Sequence, residues 1–337
     1  MPKIVHNNHY VPQHYLRRWS DDGSKIWAYR LLVSHENIPL WKPYSIRNIA
    51  FQRDLYTQVS DGEENDEFER WIETEFETPA QEAIEKVIKE KPLSTTDWER
   101  LALYLAAQDV RTPTNYLESM ARWEVEIPLL LRKTIESSFQ RIQVAKNEKR
   151  GFHPVDSSHP YFQDLFRVEV LSSESIGEYL LSAEVTTGRK LWLESIRFLL
   201  NETAKEVLKH KWSIAYPSNG IEWLTSDHPV VRLNYYCKGI YDLRGGWGKQ
   251  GADLIMPLSP RHLLITEIGM EQPDRLSFML DQTVRIQKIL ADRAFRWIFS
   301  RTPAPSAPIF HPRRVDFIAY RNEEEQIRNW HKAQSKN

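Results

Sequence analysis

Three short stretches of this 337-residue chain concentrate side chains that can bind anions or move protons. The first is HYVPQHYLRRW, in which His9 and Gln13 flank Pro12. Pro12 predicts the first turn of a helix, and His9 then lies just before it, near free backbone N–H groups that can hold an anion. Histidine can also act as a general acid or base or ligate a metal. The open alternative is a histidine that bonds a backbone carbonyl and fixes the N-terminal segment.

The second stretch, AAQDVRTP, ends a segment that is apolar on almost every side from Trp98 to Ala107, which predicts a buried helix. Gln108 follows Leu105 by three residues and therefore projects from the buried face. A buried amide needs hydrogen bonds, and a buried guanidinium such as that of Arg111 needs a carboxylate or a ligand anion. Arg111 is therefore either half of a structural ion pair or an anion-binding residue.

The third stretch, WLTSDHPV, predicts a polar turn after a strand that ends at Leu224. Asp227 either stabilises this turn or offers a carboxylate on a loop held by a rigid sheet, where functional sites often form. The spacing of His6 and His9 is too common to indicate a metal, and we predict no metal site. Cys237 is the only cysteine, which excludes an intramolecular disulfide and a cysteine-based zinc site.

Four segments in order, HYVPQHYLRRW, AAQDVRTP, TSDHPV and MPLSPRHLL, resemble the bacterial family named domain of unknown function 4238. Its members typically carry HxVPxxYL, QxxRTP and TSDxPV segments and then a PLSP strand, and LADRAFRWIFS resembles their closing AxR segment. Because His228 stands where the family often has asparagine, we assign it no essential role. The resemblance covers nearly the whole chain and implies the following positions: His9, Pro12, Gln13, Tyr15, Gln108, Arg111, Thr112, Ser226, Asp227 and Pro229.

We predict that these distant positions form one polar cluster, with His9 and Asp227 as catalytic residues. Asp227 orients or activates His9, which serves as general base or acid, and Asp227 is also the expected carboxylate partner of Arg111. The other members are substrate- or anion-binding residues or supporting residues: Arg111, Gln108 and Gln13 in the first group, and Tyr15 and Ser226 in the second.

This cluster leads to two functional hypotheses. One is a hydrolase that acts on a phosphate-containing substrate, a nucleotide or nucleic acid, with a defence role by analogy only. The alternative is a non-catalytic binding or interaction protein in which the His/Arg/Asp cluster is a structural network. No Walker, HExxH or GxSxG motif is present, and the net charge of -1 disfavours long nucleic acids. No cofactor or other partner is assigned.

The composition indicates a folded globular protein, with 41% hydrophobic and 27% charged residues. Only 12 glycines are present, which disfavours a glycine-rich nucleotide-binding architecture. The sequence shows no secretory signal and no stretch that approaches the ~18 apolar residues of a membrane helix. We therefore expect a cytoplasmic protein that does not interact with membranes.

The order of predicted elements is strands, then helices, then strands, which favours an α+β fold. We expect a mixed, mainly antiparallel sheet built from the N- and C-terminal segments, with a large central helical insertion. The predicted parts are residues 1–60, 61–210 and 211–337, which together form one integrated domain. Thr96 and Glu99 have the spacing of a capping box, which predicts the start of the buried helix.

Overall fold

The computed structural model describes residues 4–60, 63–147, 165–172, 179–237 and 239–334. It contains two compact units: residues 1–114 together with 199–336, and residues 115–198.

The described strands are β1 (Asn7–His9), β2 (Lys25–Arg30), β3 (Leu32–Val33), β4 (Trp41–Ser45), β5 (Phe51–Arg53), β6 (Gln58–Ser60), β7 (Glu63–Asn65), β8 (Phe166–Ser172), β9 (Tyr179–Val185), β10 (Ser213–Tyr216), β11 (Thr225–Ser226), β12 (Val231–Cys237), β13 (Ile240–Asp242), β14 (Ala252–Ser259), β15 (His262–Glu267), β16 (Arg275–Ser277), β17 (Trp297–Ser300) and β18 (Arg314–Val315). The described helices are α1 (Gln13–Leu16), α2 (Glu67–Ile72), α3 (Thr78–Ile88), α4 (Thr95–Val110), α5 (Pro113–Asn147), α6 (Arg189–Phe198), α7 (Leu280–Arg293), α8 (Ala307–Phe310) and α9 (Phe317–Gln334). A π-helical turn, Glu73–Glu77, joins α2 to α3.

The first unit joins the two ends of the chain in one antiparallel sheet of order β11-β17-β2-β4. Strand β2 pairs with β17 so that Ala28 lies opposite Phe299, although more than 250 residues separate the two strands. On its other side β2 pairs with β4. The predicted α+β fold, with a sheet built from both terminal segments around a helical region, is therefore confirmed.

A second sheet of the same unit has the order β13-β12-β14-β15-β10-β16 and is antiparallel except where β10 meets β16. Helix α7 packs on this sheet because Ile286, Ile289 and Leu290 belong to one buried apolar cluster with strand residues such as Val231 and Ile255. Ala291, the next residue along α7, belongs to a second buried apolar cluster. Helix α7 is therefore central to the core of this unit.

Helix α4 is buried along most of its length, as its apolar sequence predicted. The predicted cap is wrong, because Ser94 rather than Thr96 precedes the first turn. The Ser94 hydroxyl accepts a hydrogen bond from the Asp97 N–H at 3.3 Å, and Asp97 accepts one from the Ser94 N–H at 2.8 Å. Both alternatives fit the capping-box spacing, and Lys86, 2.9 Å from Asp97, favours the observed one.

The second unit consists of the long helix α5 after its first turn, a β8–β9 hairpin and helix α6. Its core includes Trp192, whose indole N–H donates to Asn115 at 3.0 Å and whose ring meets Tyr116 edge-on. The sequence predicted a large central helical insertion, and the hairpin is a β element that this prediction did not include. Each strand alternates apolar and polar residues over five positions, FRVEV in β8 and LSAEV in β9, so the sequence did carry a strand signal here.

Candidate functional site

Arg111, the residue after α4, is fully paired inside the first unit. Its side chain is 2% exposed, and its guanidinium forms an ion pair with the Glu77 carboxylate. It also donates to the Tyr56 hydroxyl at 3.2 Å and to the backbone carbonyl of His9 at 2.7 Å. Tyr56 in turn donates its hydroxyl proton to the Arg111 carbonyl at 2.6 Å. The expectation that Asp227 supplies the carboxylate for Arg111 is wrong, because Glu77 from the π-helical turn supplies it.

A second layer of polar side chains surrounds this ion pair. Asn8 donates to Glu69, and its carbonyl oxygen accepts from the Tyr56 N–H at 3.2 Å. Burial raises the pKa of Glu69 to about 7, although Arg111 and Asn8 lower it. Burial also lowers the pKa of His14 to about 4, even though Glu77 lies 3.7 Å away. At neutral pH His14 is therefore uncharged, and Glu69 carries only part of its charge.

The Asp227 carboxylate binds the backbone of the connection between α7 and β17. Its two carboxylate oxygens each accept a backbone N–H at 2.9 Å, one from Phe295 and one from Arg296. The side chain is 2% exposed, and burial raises its pKa to about 6 against the effect of these N–H groups. Among the described contacts, those of Asp227 therefore go to this turn and not to the His9 ring or to Arg111.

Ser226 and Tyr15 also have local or structural partners. The Ser226 hydroxyl donates to the His228 carbonyl at 2.8 Å and accepts from the His228 N–H at 3.1 Å, which makes a closed turn. The buried hydroxyl of Tyr15 donates to the Pro257 carbonyl at 2.7 Å and bonds the Thr225 hydroxyl at 2.6 Å. Tyr15 thus fastens the first helix to strands β11 and β14 of the same unit.

His228, to which we assigned no essential role from the sequence, lies in a second buried network. Its Nδ1 is 3.2 Å from the Thr112 hydroxyl, its Nε2 is 2.8 Å from an Arg293 nitrogen and 3.8 Å from Asp109. Thr112, His228 and Asp109 have the order of a nucleophile, a base and an orienting carboxylate. A guanidinium can only donate, so Nε2 is the acceptor and Nδ1 carries the ring proton toward Thr112. His228 therefore cannot take the Thr112 proton in this arrangement.

Asp109 anchors the same network from inside α4. The Trp247 indole donates to it at 2.9 Å, and the Arg232 guanidinium lies 3.5 Å away. Burial acts to raise its pKa, but the nearby charges of Arg232 and Arg293 lower the pKa of Asp109 to about 2. The carboxylate is therefore permanently charged, as expected for an ion pair that stabilises the helix end.

Gln108 and His9 differ from these residues because buried polar atoms of their side chains lack described partners. Gln108 is completely buried, and neither its amide oxygen nor its amide nitrogen has a hydrogen-bond partner in the described part of the chain. The His9 Nε2 is likewise buried without a described partner. Burial lowers the pKa of His9, although nearby carbonyls of Arg47 and Ile46 raise it. His9 is therefore neutral at pH 7 and able to accept a proton.

A cavity of about 260 Å³ lies beside this N-terminal segment, and we call it the N-terminal pocket. Its lining comes from helix α1 and the turn after it, from the turn before β2, and from the end of β4 and the turn that follows: Gln13, Arg17, Gly23, Ser24, Ser45, Ile46 and Arg47. Gln13, one of the predicted anion-binding residues, is therefore at a cavity. The His9 ring lies beside the backbone of Ile46 and Arg47, two of the lining residues.

The structure thus divides the predicted site residues among separate places. His9 and Arg111 meet only through the His9 backbone carbonyl, and Asp227 belongs to a different turn. Sequence analysis missed Glu77, Asp109 and the role of Arg293. The arginine was visible as the last residue of the AxR segment, whereas Glu77 is one of many glutamates in an acidic helical stretch, and nothing local distinguishes it.

Within the described residues, no group of three or more histidine, cysteine or acidic side chains is arranged to hold a metal ion. None of the described helices is both long enough and apolar enough to cross a membrane.

The chain matches one family model, described as Protein of unknown function (DUF4238), over residues 7–304. This range includes all of the motif residues from His9 to Arg293, so the resemblance inferred from the motifs is confirmed. No curated protein and no solved structure matches the chain.

Proposed function

We propose that this chain, which belongs to the DUF4238 family of proteins of unknown function, is a non-catalytic binding protein. Family membership assigns it no reaction, so the proposal depends on the geometry of the motif residues. In this proposal the His/Arg/Asp motif residues form structural networks rather than an active site. The observation that carries it is the pairing of Arg111 with Glu77, Tyr56 and the His9 carbonyl. Each of the three guanidinium nitrogens donates to a group of the protein, and the side chain is 2% exposed, so the guanidinium presents no open side to a substrate.

The environment of Asp227 supports the same proposal. A carboxylate that accepts one backbone N–H on each oxygen stabilises a turn, and it lacks a described contact through which it could orient the His9 ring. The buried Asp109–His228–Arg293 network adds to this support, because the direction of the Arg293 hydrogen bond gives His228 the wrong tautomer for a base toward Thr112.

Two substitutions test the structural interpretation. We expect Asp227→Ala to lower the free energy of unfolding by about 2–4 kcal/mol, because it removes a buried acceptor and leaves two N–H groups unpaired. His9→Ala is the comparison, since the bond to Arg111 comes from the backbone and survives; we expect a loss of about 1 kcal/mol or less. Urea denaturation measures both values. Wild-type stability of Asp227→Ala would contradict the proposal.

A hydrolase acting on a nucleotide or nucleic acid is the second candidate, and one observation favours it. His9 is neutral at pH 7 and its Nε2 lacks a described partner, as a general base requires. The test is release of inorganic phosphate from nucleotides and cleavage of nucleic acid by the wild-type chain and by His9→Ala. Activity that disappears in His9→Ala while its stability is retained would establish the hydrolase and reject the non-catalytic proposal.

A further inference from the structure

We propose that the N-terminal pocket binds a phosphate group, either free or at the end of a larger molecule such as a nucleotide. This inference rests on the proposed binding function, because it names the site and the ligand chemistry for it. The pocket combines two arginines, an amide and a hydroxyl around one cavity of about 260 Å³. That volume accommodates a phosphate together with part of the molecule that carries it.

The charge of the pocket is the first argument. Arg17 and Arg47 both line the cavity, and neither forms an ion pair with a residue in the described part of the chain. None of the residues described as lining the cavity is acidic. Guanidinium groups match phosphate oxygens in paired hydrogen bonds, and two of them on one cavity concentrate positive charge there. The pocket therefore selects an anion with several acceptor oxygens.

Neutral donors complete the lining. The Gln13 amide and the Ser45 hydroxyl both reach the cavity, and neither has a side-chain hydrogen bond to another described residue. The Ser24 hydroxyl, in contrast, donates to Asp22 at 2.8 Å. Asp22 is the carboxylate next to the pocket, and its oxygens also accept the backbone N–H groups of Ser24 and Lys25 at 2.8 and 2.9 Å. Its lone pairs are thus engaged within its own turn.

A larger cavity, of about 710 Å³, offers a useful contrast. Its Arg301 is paired with Glu222 on two sides and lies 3.6 Å from Asp21, so that its charge is neutralised. Arg261 also lines this cavity and is exposed. It provides a matched control, because it is an exposed arginine at the edge of a different cavity.

Isothermal titration calorimetry of the full chain with inorganic phosphate and with adenosine monophosphate tests the site. We expect both probes to bind, and Arg17→Gln and Arg47→Gln each to weaken binding about tenfold or more, as loss of a charge-assisted contact requires. Arg261→Gln should bind as the wild type does. Tighter binding of the nucleotide than of phosphate identifies a carried phosphate as the ligand, and equal binding identifies phosphate alone.

Three results would overturn the inference. The first is the absence of binding by the wild-type chain at about 10 mM of either probe, a concentration well above a millimolar dissociation constant. The second is undiminished binding in both pocket variants. The third is a loss of binding in Arg261→Gln equal to that in the pocket variants. None of them affects the proposed structural role of the motifs, which depends on the stability of Asp227→Ala. Thermal melts of the exposed Arg17 and Arg47 variants should match the wild type, so that weaker binding cannot be attributed to unfolding.

Discussion

Arginines in two regions of the first unit are used in opposite ways. Arg111 is buried, and a carboxylate, a tyrosine hydroxyl and a backbone carbonyl surround its guanidinium. Arg17 and Arg47 are exposed at a cavity and have no described ion-pair partner. The motif pattern drew attention to the first region, whereas the phosphate site that we propose lies in the second.

The difference follows from the cost of burying a charge. A guanidinium removed from water destabilises the fold unless it is paired, so a buried arginine requires a carboxylate from the protein itself. Once Glu77 supplies that carboxylate, Arg111 has little left to offer to an external anion. An exposed arginine is solvated and needs no internal partner, and it therefore remains available. A motif arginine at a buried helix end is thus a weaker indication of a binding site than its chemistry suggests.

The largest expected effect comes from breaking the buried pair. Glu77→Ala leaves the Arg111 charge buried without its carboxylate, and we expect the free energy of unfolding to fall by about 3–5 kcal/mol. Glu82→Ala on α3 is the control, because its exposed carboxylate forms only surface ion pairs, with Lys86 and Arg100, and it should change stability by less than about 0.5 kcal/mol. Urea denaturation measures both. A loss below about 1 kcal/mol for Glu77→Ala would remove the contrast between the two regions.

The next effect is a pH dependence that the buried network should show and the pocket should not. The pKa of Glu69 rises from 4.5 to about 7 on burial, so the folded protein holds this proton more tightly than the unfolded chain. The contribution of Glu69 to stability is therefore greatest below about pH 4.5, decreases as the pH rises toward 7 and is then constant.

Glu69→Gln removes this titration and provides its measurement. Between pH 4.5 and 7.5 the wild type should lose roughly 2 kcal/mol of unfolding free energy relative to the variant, less than a fully buried group would give. Denaturation curves at both pH values give the difference. A difference that stays constant, or that grows in favour of the wild type at high pH, would show that Glu69 titrates normally.

A smaller effect concerns the hydrogen bond between His228 and Thr112. Thr112→Val removes the acceptor for the ring N–H and should cost about 1–2 kcal/mol, whereas Thr112→Ser keeps the hydroxyl and should cost less. Nitrogen-15 NMR of the histidine rings adds a direct test, because Nδ1 of His228 should carry the proton. A signal for protonated Nε2 would contradict the assigned direction of the Arg293 bond.

The smallest effect completes the comparison. Arg17→Gln and Arg47→Gln should each change the free energy of unfolding by less than about 0.5 kcal/mol, because neither side chain is paired with a described residue. Denaturation under the conditions used for Glu77→Ala gives the direct contrast. A loss of several kcal/mol in either pocket variant would mean that the pocket arginines are structural as well.

Local rules predicted much of the fold. Pro12 does precede the first helix, and the apolar segment before Arg111 forms a buried helix. A turn does form at Ser226–His228, but the predicted strand ending at Leu224 is wrong, because the strand is Thr225–Ser226. Each correct prediction depends on a few neighbouring residues, such as a fixed proline φ angle or helical spacing of apolar side chains. The joining of both chain ends in one sheet also followed from the order of strand-like segments.

The pairing partners could not be predicted in the same way. Glu77 meets Arg111 because a π-helical turn follows α2, and nothing in the sequence near Glu77 specifies which cation it faces. Asp227 was matched to the wrong partner because the backbone N–H groups of Phe295 and Arg296 carry no sequence signal. The N-terminal pocket could not be predicted from the sequence for a similar reason, because Arg47 comes from a turn that is distant along the chain from the opening motif.

The bond of Tyr15 to Thr225 and Pro257 has a consequence for the order in which the protein can fold. During synthesis, the opening helix leaves the ribosome long before the strands that receive its tyrosine. Strand β2 likewise waits for β17, one of the last strands to be made. Because such distant contacts form slowly, the nascent chain exposes an unpaired strand edge and apolar side chains for most of its synthesis. We therefore expect folding to be completed in a late, cooperative step, after most of the chain has been synthesised.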